Sequence, residues 1–291
     1  MNKIAVLVDS GCQIEIGSME DKGIFVVPLT VTINDKTYLD EEEITSLEVF
    51  KKMEKDNTLG VKTSQPSTGI IEEYVNKIKD LGYKHIIALP IATGLSSTLQ
   101  GMKLACDMAK MPVTLVDTKG TAGNQRYLAL LTSKLVEVGK EINEIVEILE
   151  NCINHSGTVI MVPNLDHLAR GGRITPGVAR LAGLLKIVPI MELNYKLGGK
   201  IDTYDKVRTV RKANIKIIDH LINDCGVNAK DYIFTIEHVL SKDLALAMKE
   251  ELKKRLGNEA KIRVDNLPSV VGAHMGIGGI GYQYIKKYVK E

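Results

Sequence analysis

Short apolar runs alternate with longer amphipathic segments through the first half of the chain. The first run is Lys3-Ile-Ala-Val-Leu-Val-Asp9, and similar runs occupy residues 83–90, 113–117 and 158–162. Continuous apolar runs of this length are typical of strands that are buried on both faces, as in parallel sheets. The pattern therefore predicts an N-terminal α/β domain with a mainly parallel sheet flanked by helices.

The segments between these runs have the apolar spacing of helices and carry helix start signals. A capping box, Thr45-Ser-Leu-Glu48, opens a predicted helix over residues 47–55. The hydroxyl of Ser67 can cap a second helix over residues 70–81. Two further helices are predicted over residues 124–138 and 142–153.

The pattern changes after residue 162. Strands are predicted over residues 185–193 and 200–207, and they are joined by Asn194-Tyr-Lys-Leu-Gly-Gly199, a hairpin-like connection. This connection favours a mixed or antiparallel sheet in a C-terminal α/β domain. The remaining predicted elements are helices over residues 208–223 and 241–256 and strands over residues 231–237 and 261–266.

The length of the chain supports two domains. At 291 residues it is long for a single core, and two domains of roughly 150 residues each are expected. We predict the change of domain near residue 160. This gives an α/β domain over 1–160 that carries two hydroxyl-rich turns, and a second α/β domain over 161–291 that closes the binding site.

Composition and charge argue against several classes of protein. Hydrophobic residues make up 44% of the chain, but no apolar run approaches the ~20 residues that cross a membrane. The N-terminus leads directly into a strand, so no signal peptide is expected. The net charge of +2 is spread over alternating acids and bases, which argues against a nucleic-acid partner. Small molecules or proteins remain as partners.

The four cysteines, Cys12, Cys106, Cys152 and Cys225, are widely spaced. They form neither a CxxC motif nor a cluster with histidines, so we expect reduced, buried thiols in a cytoplasmic protein. For the same reason no structural zinc or other metal site is predicted.

Two turns rich in hydroxyl groups lead into predicted helices. One is Thr93-Gly-Leu-Ser-Ser-Thr98 and the other is Thr63-Ser-Gln-Pro-Ser67. The start of a helix leaves backbone N–H groups unpaired and carries a partial positive charge, and serine and threonine add short donors, so such a turn can hold an anion. Helix capping would use the same side chains at either turn alone. Because both turns are expected at the carboxyl ends of strands, they are predicted to share one ligand.

Two enzyme motifs are matched only in part. The segment Gly94-Leu-Ser-Ser-Thr98 differs from the G-x-S-x-G nucleophile elbow at its last position, and an acyl hydrolase using Ser96 would also need His274 as a base oriented by a carboxylate. The segment Gly276-Ile-Gly-Gly-Ile-Gly281 matches G-x-G-x-x-G, but the chain ends at Glu291, which leaves no room for the next strand of a dinucleotide fold. Close backbone packing or a ligand contact is the better interpretation of these glycines. His274, just before them, is either a structural or a ligand-binding residue.

Several arginines are candidates for anion binding. Arg170 and Arg173 flank a flexible Gly-Gly corner and suit bidentate contact with a carboxylate or phosphate. Arg208 and Arg211 are one helical turn apart and suit either a solvated face or a docking patch. A small-anion module, such as a sugar-phosphate binder, is therefore also compatible with the hydroxyl turns.

Taken in order, these segments resemble the DegV family of bacterial fatty-acid-binding proteins, which includes the lipid-carrying subunit of fatty acid kinase. The resemblance runs nearly from end to end. It rests on Val8-Asp9-Ser10, Thr63-Ser-Gln-Pro-Ser67, Gly94-Leu-Ser-Ser-Thr-Leu-Gln100, Leu168-Ala-Arg-Gly-Gly-Arg-Ile174, and Gly272-Ala-His274 followed by Gly276 and Gly278.

The resemblance implies a long-chain fatty acid, such as palmitate, lying between the two domains. It implies that positions Thr63 and Ser96 hold the carboxylate, with Gly94, Ser97 and His274 in the same polar network. It also implies a non-catalytic lipid-binding protein in fatty acid metabolism or lipid transport, with no cofactor, transient membrane surface contact, and a separate fatty acid kinase catalytic subunit that forms the acyl phosphate. Arg170, Arg173 and Arg208 then become candidates for phosphate or partner contact.

Overall fold

The structure consists of two α/β units that share a buried hydrophobic cluster. It is a computed structural model that describes residues 3–56, 58–163, 165–175, 178 and 187–288. The strands form a four-stranded parallel sheet, a three-stranded antiparallel sheet and a six-stranded mixed sheet. The predicted fold class, a parallel-sheet domain followed by a mixed-sheet α/β domain, is confirmed.

The described residues form thirteen strands and nine α-helices. The strands are β1 (Ile4–Asp9), β2 (Ile24–Val27), β3 (Thr30–Ile33), β4 (Lys36–Leu39), β5 (Val61–Ser64), β6 (His85–Ala88), β7 (Val113–Leu115), β8 (Ser156–Met161), β9 (Val188–Asn194), β10 (Ile201–Val207), β11 (Tyr232–His238), β12 (Ile262–Asn266) and β13 (Ile280–Lys286). The helices are α1 (Ser46–Lys55), α2 (Thr68–Asp80), α3 (Thr98–Met108), α4 (Ala122–Glu137), α5 (Ile142–Asn154), α6 (Asp166–Gly171), α7 (Val210–Asp219), α8 (Lys242–Leu256) and α9 (Ser269–Met275).

The parallel sheet has the strand order β2-β1-β6-β7 and is covered by helices on both faces. In β1, Val6 and Val8 pack into the core that α4 and α5 complete. The alternate residues, Ala5 and Leu7, pack into the core beneath α2 and α3. A strand buried on both sides must be apolar at successive positions, which explains the uninterrupted run that predicted it.

The predicted start signals of the first two helices are present. Thr45 Oγ1 accepts a hydrogen bond from the Glu48 amide, and Glu48 Oε2 accepts one from the Thr45 amide, so the capping box is complete. Ser67 Oγ accepts a hydrogen bond from the Ile70 amide at 3.3 Å. These side chains satisfy backbone donors that a helix start leaves unpaired, and thereby fix where α1 and α2 begin.

The small antiparallel sheet β4-β3-β5 was not predicted. Its strands have four residues each, too few to show a clear period. Its hairpin turn places Asn34 and Asp35 at φ angles of 47° and 63°, a left-handed conformation that asparagine and aspartate tolerate better than most residues. Because β5 contains Thr63, this sheet sets the position of one predicted ligand residue.

The six-stranded sheet has the order β10-β9-β8-β13-β11-β12. The predicted hairpin is confirmed, since β9 and β10 pair antiparallel on either side of 195–200. Residues 185–186 of the predicted strand lie outside the described residues. The assignment of 158–162 to the parallel sheet is wrong: β8 pairs antiparallel with both β9 and β13. An apolar run identifies a buried strand but not its neighbours, and the predicted boundary at residue 160 falls within β8.

None of the helices that the structure describes is long and apolar enough to cross a membrane.

Candidate functional site

A cavity lies between the parallel-sheet unit and one face of the six-stranded sheet. Its wall combines apolar side chains with convergent polar groups, as small-molecule sites do. Both units contribute to its apolar wall, which includes Leu29, Ile91, Ile160, Leu193, Leu267 and Val270. The cavity therefore suits a ligand that is mainly apolar.

A polar surface pocket adjoins this cavity. The pocket and the cavity share six lining residues, which are Thr63, Ser64, Gln65, Leu95, Ser96 and Arg173. A ligand that spans both spaces would place a polar group among these side chains and an apolar chain inside the protein.

The turn between β6 and α3 supplies one side of the polar pocket. Asp9 Oδ2, at the end of β1, accepts a hydrogen bond from the Ile91 amide at 2.8 Å. Asp117, which follows β7, accepts hydrogen bonds from the amide and the hydroxyl of Thr93. Ser96 Oγ accepts a hydrogen bond from the Thr98 amide at 3.3 Å. Two carboxylates from the strands on either side of β6 thus fix the turn, and Ser96 both accepts from the first amide of α3 and lines the pocket.

The other side of the pocket pairs Thr63 with His274. Thr63 Oγ1 lies 2.7 Å from His274 Nε2, although the two residues come from opposite units. Burial, followed by the positive charge of Arg173, lowers the pKa of His274 to about 4. The imidazole is therefore neutral at neutral pH, so this pair offers hydrogen-bonding groups without adding a charge.

Two glycines beside the pocket are required by close contacts. A Cβ atom on Gly94 would lie 2.1 Å from the carbonyl oxygen of Gly199, in the β9–β10 hairpin. A Cβ atom on Gly171 would lie 2.1 Å from Nδ1 of His274. Gly94 therefore lets the turn approach the hairpin backbone, and Gly171 leaves space for the imidazole.

The predicted arginines are not grouped together. Arg173 lines both the cavity and the surface pocket, and its guanidinium donates to the carbonyl oxygens of Leu95 and Gly171. Arg170 is exposed on α6, with its guanidinium 3.4 Å from Nδ1 of His167. Arg208 is exposed after β10 and is not among the described residues that line the cavity. Ser97 is exposed and lines only the surface pocket.

The geometry does not supply a serine nucleophile with its base. The hydrogen-bond partners of Ser96 Oγ are the amide and hydroxyl of Thr98, and His274 pairs with Thr63 instead. In the part of the chain that the structure describes, no histidine contacts Ser96 Oγ, whereas an activated serine needs a base within hydrogen-bond reach.

The glycine-rich segment 276–281 joins a helix to a strand, α9 to β13. A dinucleotide motif has the opposite order, with a strand leading into a helix. A Cβ atom on Gly276 would lie 2.6 Å from the ring of His167, and one on Gly278 would lie 2.8 Å from Pro163. The glycines therefore permit close packing against the segment after β8.

Sequence reasoning missed six polar residues that line the site. Ser64 and Gln65 belong to the predicted turn but were not selected, Thr121 precedes α4, and Thr158, Glu237 and Gln283 lie inside predicted or observed strands. The sequence signal for the strand residues was a polar side chain within an otherwise apolar strand. This signal does not reveal that β8, β11 and β13 bring their polar positions to one cavity wall.

The comparisons with known proteins agree with this architecture. The DegV family model, described as "Uncharacterised protein, DegV family", matches residues 3–287. The chain belongs to the DegV family. A DegV domain-containing protein of Streptomyces coelicolor is 30% identical over 278 residues, which is 96% of this chain and 96% of that protein.

Crystal structures of related proteins have the same fold. A fatty acid binding DegV family protein from Streptococcus agalactiae superimposes with a TM-score of 0.87 at 25% identity, covering 99% of this chain and all of that one (100%). DegV of Bacillus subtilis, described as a fatty acid binding protein, gives a TM-score of 0.86 at 26% identity, with 99% and 100% coverage.

Proposed function

We propose that this protein binds a long-chain fatty acid, with its carboxylate in the polar pocket and its acyl chain in the cavity. The observation that carries the proposal is the position of the polar pocket directly beside the cavity, since the two spaces share Thr63, Ser96 and Arg173 in their walls. A fatty acid has the matching division into one small anion and one long apolar chain. The related proteins from Streptococcus agalactiae and Bacillus subtilis, both described as fatty acid binding, support this ligand class.

The polar pocket can satisfy a carboxylate. An ionised carboxylate in a largely apolar site must receive hydrogen bonds, since otherwise it would tend to take up a proton. The hydroxyls of Thr63 and Ser96 are short donors, the neutral imidazole of His274 orients the Thr63 hydroxyl, and Arg173 supplies a positive charge at the same rim. The hydrogen bonds would orient the carboxylate, and the charge of Arg173 would attract it.

The cavity provides most of the binding free energy. Each CH2 group that leaves water contributes about 0.8 kcal/mol before ordering costs, so a chain of about sixteen carbons gains far more from the cavity than from its head group. We therefore expect head-group substitutions to weaken binding without abolishing it.

We extend the proposal to the fate of the ligand. The protein acts as a non-catalytic carrier in the cytoplasm that presents the carboxylate to the catalytic subunit of a fatty acid kinase for acyl phosphate formation. Transient contact with a membrane surface would allow the lipid to load. The openness of the polar pocket to the surface supports presentation, and the exposed Arg170 and Arg208 are candidate contacts for the kinase or the phosphate.

The test is a binding measurement on delipidated protein. We expect palmitate to bind, and Thr63→Val and Ser96→Ala each to weaken its Kd by about tenfold, the value of a hydrogen bond to a charged group. Thr37→Val is the matched control, because Thr37 is an exposed residue of the same small sheet as Thr63. A delipidated protein that refuses palmitate rules out the proposal. Ester hydrolysis that is lost in Ser96→Ala would favour the acyl hydrolase instead.

A further inference from the structure

Glu237 is a buried acid in the wall of the cavity. It lies near the end of β11, opposite Gly281 of β13, and none of its surface is exposed to solvent. The contacts described for the head-group residues Thr63, Ser96 and His274 do not involve it. Glu237 therefore belongs to a polar site separate from the one that the proposed function uses.

The hydrogen bonds of Glu237 are incomplete. Its Oε1 accepts a hydrogen bond from the Gly123 amide, at the start of α4, at 3.0 Å. Its Oε2 is fully buried and has no hydrogen-bond partner among the described residues. A buried oxygen of this kind calls for a hydrogen-bond partner, because nothing replaces the water it lost on folding.

The neighbouring polar residues are held in fixed positions. Gln283 Oε1 accepts a hydrogen bond from the Asn124 amide at 3.0 Å, and its Nε2 donates to the carbonyl oxygen of Thr121 and to Thr158 Oγ1. Thr121, Thr158 and Gln283 line the same cavity as Glu237. The site is thus preorganised by strands β8, β11 and β13 and by the start of α4.

Burial also affects the charge of this acid. Desolvation, reinforced by the negative charge of Asp265, raises the pKa of Glu237 to about 8. The carboxyl group is consequently protonated at neutral pH and can both donate and accept a hydrogen bond. A hydroxyl group has the same two capacities, whereas a saturated acyl chain can satisfy neither.

We propose that Glu237, Thr158 and Gln283 form a second polar site inside the cavity, which binds the hydroxyl group of a hydroxylated long-chain fatty acid. This inference rests on the proposed function, because the carboxylate of the same ligand occupies the pocket of Thr63 and Ser96. The second site selects among acyl chains by the position of their hydroxyl group.

The first experiment uses the unmodified protein. Delipidated protein is titrated with stearic acid and with a series of monohydroxystearic acids in which the hydroxyl group moves along the chain. We expect one position, or two adjacent positions, to bind about fivefold more tightly than stearic acid, as one additional buried hydrogen bond provides. If every isomer binds no better than stearic acid, the second site is disproved while the proposed function stands. If stearic acid itself does not bind, the proposed function fails.

Variants then assign the preference to Glu237. Glu237→Leu should remove the preference for the favoured isomer and still bind stearic acid, whereas Glu237→Gln should keep part of it. Glu250→Gln is the control, because Glu250 is an exposed acid of α8 that is not among the described residues lining the cavity. A preference that survives in both Glu237 variants contradicts the assignment. If Glu237→Leu does not fold, the proposal is tested by the preference that Glu237→Gln retains and by the titration of the unmodified protein with the isomers.

Gln13 is an alternative hydrogen-bond partner for Glu237 within the protein, and the titration with hydroxystearic acids distinguishes it from a ligand. Its Oε1 is also buried without a partner among the described residues, and its side chain approaches the carboxyl group of Glu237. If the proton of Glu237 is shared only with Gln13, no hydroxylated isomer gains affinity, and the proposal is overturned.

Discussion

Gly171 faces the imidazole of His274 at a distance that leaves no space for a side chain. Its hypothetical Cβ atom would lie 2.1 Å from Nδ1 and 2.9 Å from Cε1 of the ring. Because His274 also pairs with Thr63, the absence of a side chain at position 171 determines where both hydrogen-bonding groups stand. Gly171, which is not among the described residues that line the pocket or the cavity, thereby shapes the proposed head-group site.

We predict that Gly171→Ala weakens palmitate binding. The methyl group must displace His274 and break its contact with Thr63, so we expect a loss of about tenfold in affinity. Isothermal titration of delipidated protein measures this change. Gly69→Ala is the control, since the nearest atom to a Cβ there is 4.0 Å away. Unchanged affinity in Gly171→Ala would show that the pair does not hold the head group.

The sequence predicted the chemistry of individual residues better than their contacts. The hydroxyl turns identified Thr63 and Ser96 as polar ligand candidates, and both line the cavity. The sequence also singled out Gly94 as a ligand residue; in the structure Gly94 lines the surface pocket and lies close to the backbone of Gly199. A glycine in a turn indicates a close approach but does not say which atoms approach it.

At the scale of elements, helix α9 carries His274 and packs against α1. The contact is tight at Gly272, where a Cβ atom would lie 2.3 Å from Cζ of Phe50. Phe50 is fully buried in the core between the two units. The distance between these helices therefore helps to position His274.

We predict that Gly272→Ala destabilises the protein by about 1–3 kcal/mol, the usual range for overpacking a well-filled core. Chemical denaturation measures the change. The double variant with Phe50→Leu should recover part of the loss, because the smaller side chain makes room for the methyl group, and the resulting coupling identifies the contact. Additive losses in the two single variants would contradict a direct clash.

Elements were predictable where local signals were strong. The capping box of α1 and the serine cap of α2 are local, because the side chains satisfy amides only three residues away. The sheet β4-β3-β5 was not predictable, since its short strands are stabilised by pairing with each other and not by their own periodicity. The partners of β8 were missed because an apolar run shows that a strand is buried but not which strands pair with it.

At the scale of the whole molecule, a buried carboxyl group joins the two units. Asp40 Oδ2 accepts a hydrogen bond from Ser10 Oγ at 2.5 Å, and its Oδ1 accepts one from Ser269 at the start of α9. Burial raises the pKa of Asp40 to about 7 from an unperturbed value of 3.8, despite these two hydrogen bonds. The folded protein therefore holds this proton more tightly than the unfolded chain does.

We predict that this group makes stability fall as the pH rises. Between pH values of about 4 and 7 the folded state binds more protons at Asp40 than the unfolded state, so its contribution is complete below pH 4 and is lost toward pH 7. Asp40→Asn removes this slope, which is at most about 1.4 kcal/mol per pH unit. Denaturation of both proteins across this range measures the difference.

The control for this prediction is Asp107→Asn, because Asp107 is exposed and forms only a surface ion pair with Lys103. Its pH profile should follow that of the unmodified protein. The raised pKa values of Asp9 and Glu237 affect the two variants and the unmodified protein alike. An unchanged slope in Asp40→Asn would mean that Asp40 does not carry the proton.

The sequence by itself determined the fold class, the starts of α1 and α2, the β9–β10 hairpin and the hydroxyl-rich character of the site. These features depend on period, capping and turn residues, all of which act over a few neighbouring positions. It also determined the resemblance to the DegV family, because that rests on the order of short segments.

The tertiary structure alone decided which polar groups meet. Thr63 and His274 are 211 positions apart, and Glu237 meets Gly123 across 114 positions. Such contacts arise when two apolar surfaces pack together, and their register is set by the shape of the whole interface and not by any local pattern. For this reason the turn that we propose for the head group was visible in the sequence, while the proposed second polar site inside the cavity was not.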